Sequence, residues 1–366
     1  MTRDDIQLKD DLMTVQGITA EKNDNRIIWL DVMKGIGILS VVWGHAGHPY
    51  SFLMFFFHMP LFFFISGYLY RSAGAGTPLQ YLVRRSKQLL VPYVFYIVLI
   101  TVFLAVLSAL KGQSADINWT ALVLGGSKLE GAYGTFWFVT CLFFVQIFFD
   151  FVIRKIRPRW LVVLVIAACF VFAFWESRFH QDIFVLWNMD VALFGIVFYA
   201  LGFLFKQKKW LENPQQSRII LLLSAVFLVL FFYAYFQDYL RFGLDFKHRQ
   251  YYFFGTNILV PMAAVLLISG LSRMLANWTF CKKVFSSLGQ SSMAIMFLHL
   301  FVNSVIGGFI TMSPWRFLII GILFPWLWFE FASRIPGLRF LALGINPKRP
   351  AIDIGTGTSG RSDRGI

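Results

Sequence analysis

Three ionisable side chains lie in the first long apolar segment of the chain, where such groups are rare. Asp31 and Lys34 fall in its first turns, and His45 lies near its end. An ionised side chain in membrane hydrocarbon is costly unless it is paired, reaches the interface or faces a wet cavity. The segment is therefore a candidate functional element.

A helix would place Lys34 and His45 on one face. Their separation corresponds to about three turns plus 20°, or roughly 16 Å along the axis, and Asp31 projects about 40° from His45. Two interpretations stay open. The three groups line a path through the protein, or Asp31 and Lys34 form a local ion pair and His45 is an ordinary boundary residue.

Two further histidines lie within apolar segments. His58 interrupts the phenylalanine-rich stretch FLMFFFHMPLFFFISGYLY, and His299 lies in LGQSSMAIMFLHLFV. A very short turn between the first two segments makes His45, His48 and His58 neighbours, which predicts a site at the outer end. A structural hydrogen bond to a neighbouring helix is the alternative for His58 and for His299. No carboxylate accompanies these histidines at metal-ligand spacing, so we expect no metal.

A basic cluster precedes the third apolar segment, in QYLVRRSKQLLVPY. Arg84, Arg85 and Lys87 could bind anionic phosphates, or could mark the cytoplasmic side and contact lipid headgroups. The chain contains no Walker-type loop, dinucleotide fingerprint or Gly-x-Ser-x-Gly elbow. Nucleotide hydrolysis is therefore not expected. His180 and His248 fall in loops among charged residues, where we expect them to be solvated.

The composition is that of an integral membrane protein. Of 366 residues, 58% are hydrophobic and only 14% charged, with 43 Phe and 12 Trp. With roughly 20 residues per helical span, the sequence predicts an all-α bundle of about ten transmembrane helices. These spans are expected near 28–46, 50–71, 90–110, 135–153, 160–176, 186–205, 217–236, 253–272, 289–311 and 315–334.

The distribution of basic residues predicts an orientation. The net charge is +14, and most lysines and arginines fall in alternate short loops, as the positive-inside rule requires. Both termini are then cytoplasmic, and no nucleic-acid partner is expected. We predict a cytoplasmic tail over 1–25, a transmembrane domain over 26–335 and a disordered cytoplasmic tail over 336–366.

Several segments, taken in order, resemble one known family. A basic residue followed after ten positions by a histidine occurs in the first span as Lys34 and His45, followed by FFFHMPLFFFISGYLY, RRSKQLLVPY, the FWFV around Trp137 and LGQSSMAIMFLHLFV. With these segments the chain resembles the acyltransferase 3 family of multipass membrane acyltransferases, particularly its short members without an extra periplasmic domain. Many members carry Arg at the position of Lys34.

The resemblance implies a function. Members of the family transfer acyl groups, often acetyl from acetyl-CoA, to hydroxyls of cell-surface or lipid-linked carbohydrates at the bacterial inner membrane. By this resemblance His45 is the catalytic histidine, acting as a base or an acyl carrier, and Lys34 is its motif partner. Arg84, Arg85 and Lys87 would dock the CoA phosphates, and His58 and His299 would position groups or transfer protons.

Two other classes of function stay open. In a proton-coupled transporter or flippase of a lipid-linked sugar, the same buried acid, lysine and histidines would form a proton relay. In a membrane scaffold, they would only pack helices. Only the enzyme would label a glycan from radiolabelled acetyl-CoA.

Overall fold

The computed structural model describes residues 27–71, 76–251 and 253–345. Their architecture is a helical bundle with one short β-hairpin. Short 3-10 turns lie at Gly126–Lys128, Gly131–Tyr133 and Leu186–Asn188. The longer elements, in chain order, are α1 Ile28–Gly44, α2 Phe52–Phe55, α3 His58–Tyr68, α4 Pro78–Leu110, α5 Trp119–Leu124, α6 Trp137–Lys155, α7 Arg159–Phe179, α8 Val191–Gln207, α9 Pro214–Phe236, β1 Leu244–Asp245, β2 Gln250–Tyr251, α10 Thr256–Ala276, α11 Thr279–Gln290, α12 Ser292–Gly307, α13 Pro314–Arg334 and α14 Pro336–Leu343.

The all-α membrane character agrees with the sequence, but a count of ten spans is not confirmed. Among the described residues, 7 helices are long and apolar enough to cross a membrane, or 8 if the bent pair α11–α12 is one span. The first two predicted spans are shorter. Helix α1 has 17 residues, which is about 25 Å at 1.5 Å per residue, and the second predicted span is divided between α2 and α3.

Helix α4 begins well before the predicted boundary near 90. Thr77 caps it: the Thr77 hydroxyl accepts from the Gln80 N–H, and the Gln80 side chain accepts from the Thr77 N–H. Pro78 occupies the first turn, where its missing donor costs nothing. The basic cluster predicted for a loop therefore lies on the opening turns of a long helix.

Glycines allow two helix pairs to touch through their backbones. A Cβ added at Gly35 of α1 would collide with the Phe285 carbonyl of α11, and one at Gly289 would collide with the Asp31 carbonyl. Helices α3 and α8 approach in the same way at Gly67 and Gly202. Small residues permit such close packing in membrane bundles, and here they seat α1 between its neighbours.

The ninth predicted span, 289–311, is not one straight helix. Helices α11 and α12 meet at Ser291 with a bend of 72°. The Ser291 hydroxyl bonds back to the carbonyls of Ser287 and Leu288. Such bonds offer the backbone an alternative to the regular helix ladder and accompany bends.

The predicted tail over 336–366 contains ordered structure at its start. Helix α14 occupies Pro336–Leu343, with Arg339, Ala342 and Leu343 buried, and it contacts α4 and α13. The rest of that tail, from 346, and the predicted N-terminal tail over 1–25 lie outside the described residues.

The β1–β2 hairpin is held in place by one buried arginine. Arg249 donates to Glu176 at 3.0 Å and to Asp190 at 2.7 Å, and its other guanidinium nitrogen donates to the carbonyls of Gln181 and Ile183. A planar guanidinium can satisfy several acceptors at once. It therefore ties the hairpin to α7 and to the turn before α8.

Removing this guanidinium should destabilise the fold. Arg249→Ala leaves two carboxylates without their cation in a buried site, which costs about 3–5 kcal/mol. We expect a clear fall in thermal unfolding temperature in detergent, a smaller fall for Arg249→Lys, and almost none for the exposed Arg241→Ala. A wild-type melting temperature for Arg249→Ala would show that the contacts are not stabilising.

Candidate functional site

The three histidines of the apolar segments share one local geometry. In each, Nδ1 lies against the backbone carbonyl four residues earlier: His45 with Val41 at 2.9 Å, His299 with Ile295 at 2.8 Å, and His58 with Met54. A carbonyl can only accept, so Nδ1 is the donor. In the neutral imidazole, Nε2 is then left with its lone pair.

The three rings also lie close together. The centroid of His45 is 5.3 Å from that of His299 and 5.5 Å from that of Phe55. Phe55 in turn lies 5.0 Å from His58. His45 is the central member of this group. His48, which the sequence places beside His45, instead lies at the exposed end against Trp43, 5.1 Å away.

A cavity of about 430 Å³ opens beside His45. We call it the histidine cavity. Its wall combines His45 and His58 with the start of α6, with Leu300 in the middle of α12 and with the β1–β2 hairpin. The polar and aromatic residues on that wall are His45, Phe55, His58, Glu130, Thr135, Trp137, Asp245, Phe246, Lys247 and His248. His299 touches His45 from behind and does not line the cavity.

The hairpin brings charged groups into the histidine cavity. Asp245 contacts Nδ1 of His248 at 2.8 Å and accepts from the His248 backbone N–H. Burial raises the pKa of Asp245, but the hydrogen bonds and charge of His248 and the backbone N–H of Lys247 outweigh it, so the pKa is below its ordinary value. Burial lowers the pKa of Lys247, whose ammonium donates to the carbonyl of Leu129 at 2.6 Å.

These hairpin and loop residues were not found from the sequence. In the sequence nothing distinguishes Glu130, Asp245 and Lys247 from other charged loop residues. His248 was expected to be solvated. Its side chain is half exposed and also lines the cavity. The one available signal was the Asp-x-x-His spacing of Asp245 and His248. That spacing alone does not say that the loop folds back over α1.

Of the two interpretations of Asp31 and Lys34, the structure shows the local ion pair. Their ion pair has an N–O distance of 3.2 Å, and neither residue lines the histidine cavity. The carbonyl of Asp31 also packs against Gly289 beside the α11–α12 bend. The structure thus separates this pair from His45 by most of the length of α1.

A second, larger cavity of about 940 Å³ lies at the opening turns of α4. We call it the basic cavity. Arg84 and Lys87 line it, with apolar groups of α4, α12 and α14. Arg85 does not line it: its guanidinium donates to Gln88 at 2.9 Å and lies over the Tyr81 ring.

Helix α12 connects the two cavities. Met293 lines the basic cavity and Leu300 lines the histidine cavity. Two turns separate them, so they share a face and lie about 10 Å apart along the axis. Phe297 is between them on that face, with its ring 4.8 Å from Tyr96 and 4.6 Å from Phe136. These buried rings pack against one another at the level of α12 between the two lining residues.

Most of the described chain matches a known protein family. The model of the acyltransferase domain family (acyltransferase 3) matches residues 27–331. The chain belongs to this family. The match takes in α1 through most of α13 and thus both cavities apart from the α14 wall. No solved structure matches the chain.

Two relatives of this acyltransferase 3 chain are nodulation proteins NolL. The protein of Sinorhizobium fredii (strain NBRC 101917 / NGR234) is 30% identical over 200 residues, which is 50% of this chain and 50% of the relative. That of Mesorhizobium japonicum (strain LMG 29417 / CECT 9101 / MAFF 303099) is 28% identical over 242 residues, 61% of this chain and 58% of the relative. The chain thus matches little more than half the length of these relatives.

The contact between Asp245 and His248 should make stability depend on pH. Because the pKa of Asp245 is lowered in the folded state, its contribution is complete above the unfolded carboxyl pKa of about 4 and is lost as the pH falls through the lower folded value. At pH 7 the melting temperature of wild type should therefore exceed that of Asp245→Asn, and this difference should disappear in acid. Asp116→Asn, at an exposed position, is the control. A difference in melting temperature between wild type and Asp245→Asn that stays constant with pH would contradict the prediction.

Proposed function

We propose that this protein transfers an acetyl group from acetyl-CoA to a hydroxyl of a cell-surface or lipid-linked carbohydrate, with His45 at the reaction centre. The observation that carries the proposal is the geometry of His45. Its ring lines a cavity, its Nδ1 is held by the Val41 carbonyl, and Nε2 is left to accept a proton or to attack a thioester.

The basic cavity is the proposed donor site. Arg84 and Lys87 supply cations for the CoA phosphates, and the apolar part of the wall, including Leu89 and Phe340, suits the less polar arm that ends in the thioester. Arg85 would act by holding Gln88 at the edge of this site. Lys34, paired with Asp31 beside the α11–α12 bend, would set the electrostatics near the donor.

The acyl group would then reach His45 along α12. The two cavities are about two helical turns apart on one face of that helix, with Phe297 as the barrier between them. His299 packs against His45 at this level and His58 lies across Phe55. We assign these two histidines to positioning His45 and to moving protons.

The histidine cavity is the proposed acceptor site. Its volume of about 430 Å³ falls in the usual range for small-molecule pockets. Trp137 offers an aromatic face, while Glu130 and Asp245 offer carboxylates to sugar hydroxyls. In this proposal the cavity faces outward from the bacterial inner membrane, and the basic cavity and both termini face the cytoplasm, where acetyl-CoA is available.

The first test concerns His45. His45→Gln retains a donor for the Val41 carbonyl but has no group that can take a proton, so transfer of radiolabelled acetyl from acetyl-CoA to envelope glycans should fall by about 10²–10⁴-fold. His48→Gln, at the exposed end of the same segment, should be unaffected. Full transfer by a normally expressed His45→Gln would overturn the role, and movement of a sugar lipid without any acetylation would favour a flippase.

The second test concerns the donor site. Replacing Arg84 and Lys87 together by Ala removes two cations from the basic cavity, and each lost charged hydrogen bond contributes about 1.5–3 kcal/mol. The KM for acetyl-CoA should rise at least tenfold, with little change in the KM for the acceptor. Lys208→Ala, an exposed lysine outside both cavities, is the control. An unchanged KM for acetyl-CoA would place the donor elsewhere.

A further inference from the structure

A third imidazole lines the histidine cavity beside those of His45 and His58, and it has a carboxylate partner. Nδ1 of His248 lies 2.8 Å from Oδ2 of Asp245, while Oδ1 of the same carboxylate accepts from the His248 backbone N–H. Both residues line the cavity that also holds His45. The carboxylate thus holds both the ring and the backbone of His248.

This contact defines the chemical state of His248. A carboxylate accepts from Nδ1–H, so Nε2 of the neutral ring carries the lone pair. When that nitrogen takes a proton, the adjacent anion stabilises the imidazolium, as the carboxylate does in a catalytic triad. His248 is therefore equipped to accept a proton from a group bound in the cavity.

The Nδ1–H of His45 is not bonded to a carboxylate. Its Nδ1–H donates to the uncharged carbonyl of Val41, and its ring packs against Phe55 and His299. Asp245 acts on the His45 ring only through space, together with the opposing charge of Lys247, whereas it contacts the His248 ring directly. The two rings are thus suited to different tasks: His45 to contact with the acyl group, and His248 to proton acceptance.

The position of the hairpin supports the same division. The His248 side chain is half exposed, so a proton on it can pass to water. Arg249, the next residue, is anchored by Glu176 and Asp190, and the Lys247 carbonyl accepts from Asn188. Both neighbours of His248 are therefore held, and the ring is presented from a fixed loop.

We propose that His248 is the catalytic base for the acceptor hydroxyl and that Asp245 is its positioning residue. This assignment rests on the proposed function. The hydroxyl oxygen forms a bond to the acyl carbon held beside His45, and the bond from that carbon to its carrier, the thioester sulfur or Nε2 of His45, breaks. The hydroxyl proton passes to Nε2 of His248 and then to water. The CoA sulfur leaves as a thiolate and takes a proton from water, whereas the His45 ring, which keeps its Nδ1–H, leaves as the neutral imidazole.

Other charged groups in the cavity bear on this step. Lys247 and Glu130 line the same wall, and the Lys247 ammonium is engaged by the Leu129 carbonyl. Lys247 is a cation near the developing imidazolium and would oppose its charge, while Asp245 offsets that effect through direct contact. The carboxylate is therefore required for the proposed role rather than incidental to it.

The test uses the full-length protein in proteoliposomes, with acetyl-CoA and a glycan that wild type acetylates. His248→Ala should lower kcat for transfer by about 10²-fold or more and leave the KM for acetyl-CoA within twofold. Because the lost ring is half exposed, added imidazole should restore much of the rate. His48→Ala, which removes a half-buried histidine outside the cavity, should lose no activity and gain nothing from imidazole.

Asp245→Asn tests the positioning residue. Asparagine retains a hydrogen-bond acceptor but not the negative charge, so kcat should fall while the KM for the acceptor glycan is unchanged. Asp245→Glu restores the charge and should recover part of the lost kcat. Assays run well below the melting temperature of each variant keep unfolding out of the comparison. Equal kcat for Asp245→Asn and wild type would overturn the role of the carboxylate.

The outcomes separate this assignment from the proposed function. If wild type transfers acetyl and His248→Ala either retains its kcat or loses it without recovery in imidazole, His248 is not the base and the proposed function stands. If wild type acetylates no glycan, the proposed function fails and the role of His248 fails with it.

Discussion

The arrangement of the histidine cavity depends on the buried contacts of Arg249. Its guanidinium joins α7, the turn before α8 and the β1–β2 hairpin through two carboxylates and two carbonyls. A two-stranded hairpin has little stability by itself, so an external anchor is needed to hold it over α1. Asp245, Lys247 and His248 reach the cavity only because this anchor sets the position of their loop.

A second constraint acts on α1 from within the bundle. Gly35 and Gly289 let α1 and α11 meet backbone to backbone, which fixes the depth of α1 and hence the place of His45. The bend after α11 redirects α12, so that His299 packs against His45 and Phe297 lies between the residues of α12 that line the two cavities. Helix packing and the histidine site are therefore parts of one arrangement.

Local signals account for much of what could be predicted. Apolar length identified α4, the helices from α6 to α10, and α13, and the family segments brought attention to His45, His58 and His299. The predicted helix boundaries were less accurate. Because of the capping box at Thr77, α4 begins before the predicted boundary near 90, and α1 and α3 are shorter than expected. Asp31 and Lys34 showed why shared helical phase is insufficient, since two residues on one face can pair with each other.

The sequence by itself determined the membrane helices, the family and the histidine at the end of α1, because these follow from composition, spacing and ordered motifs. The tertiary structure alone decided which groups face His45. Glu130 and Trp137 come from one stretch of the chain and His248 from a hairpin far from it in sequence, and no periodicity relates that hairpin to His45. Their meeting depends on long-range contacts, such as those of Arg249, whose partners lie far away in sequence.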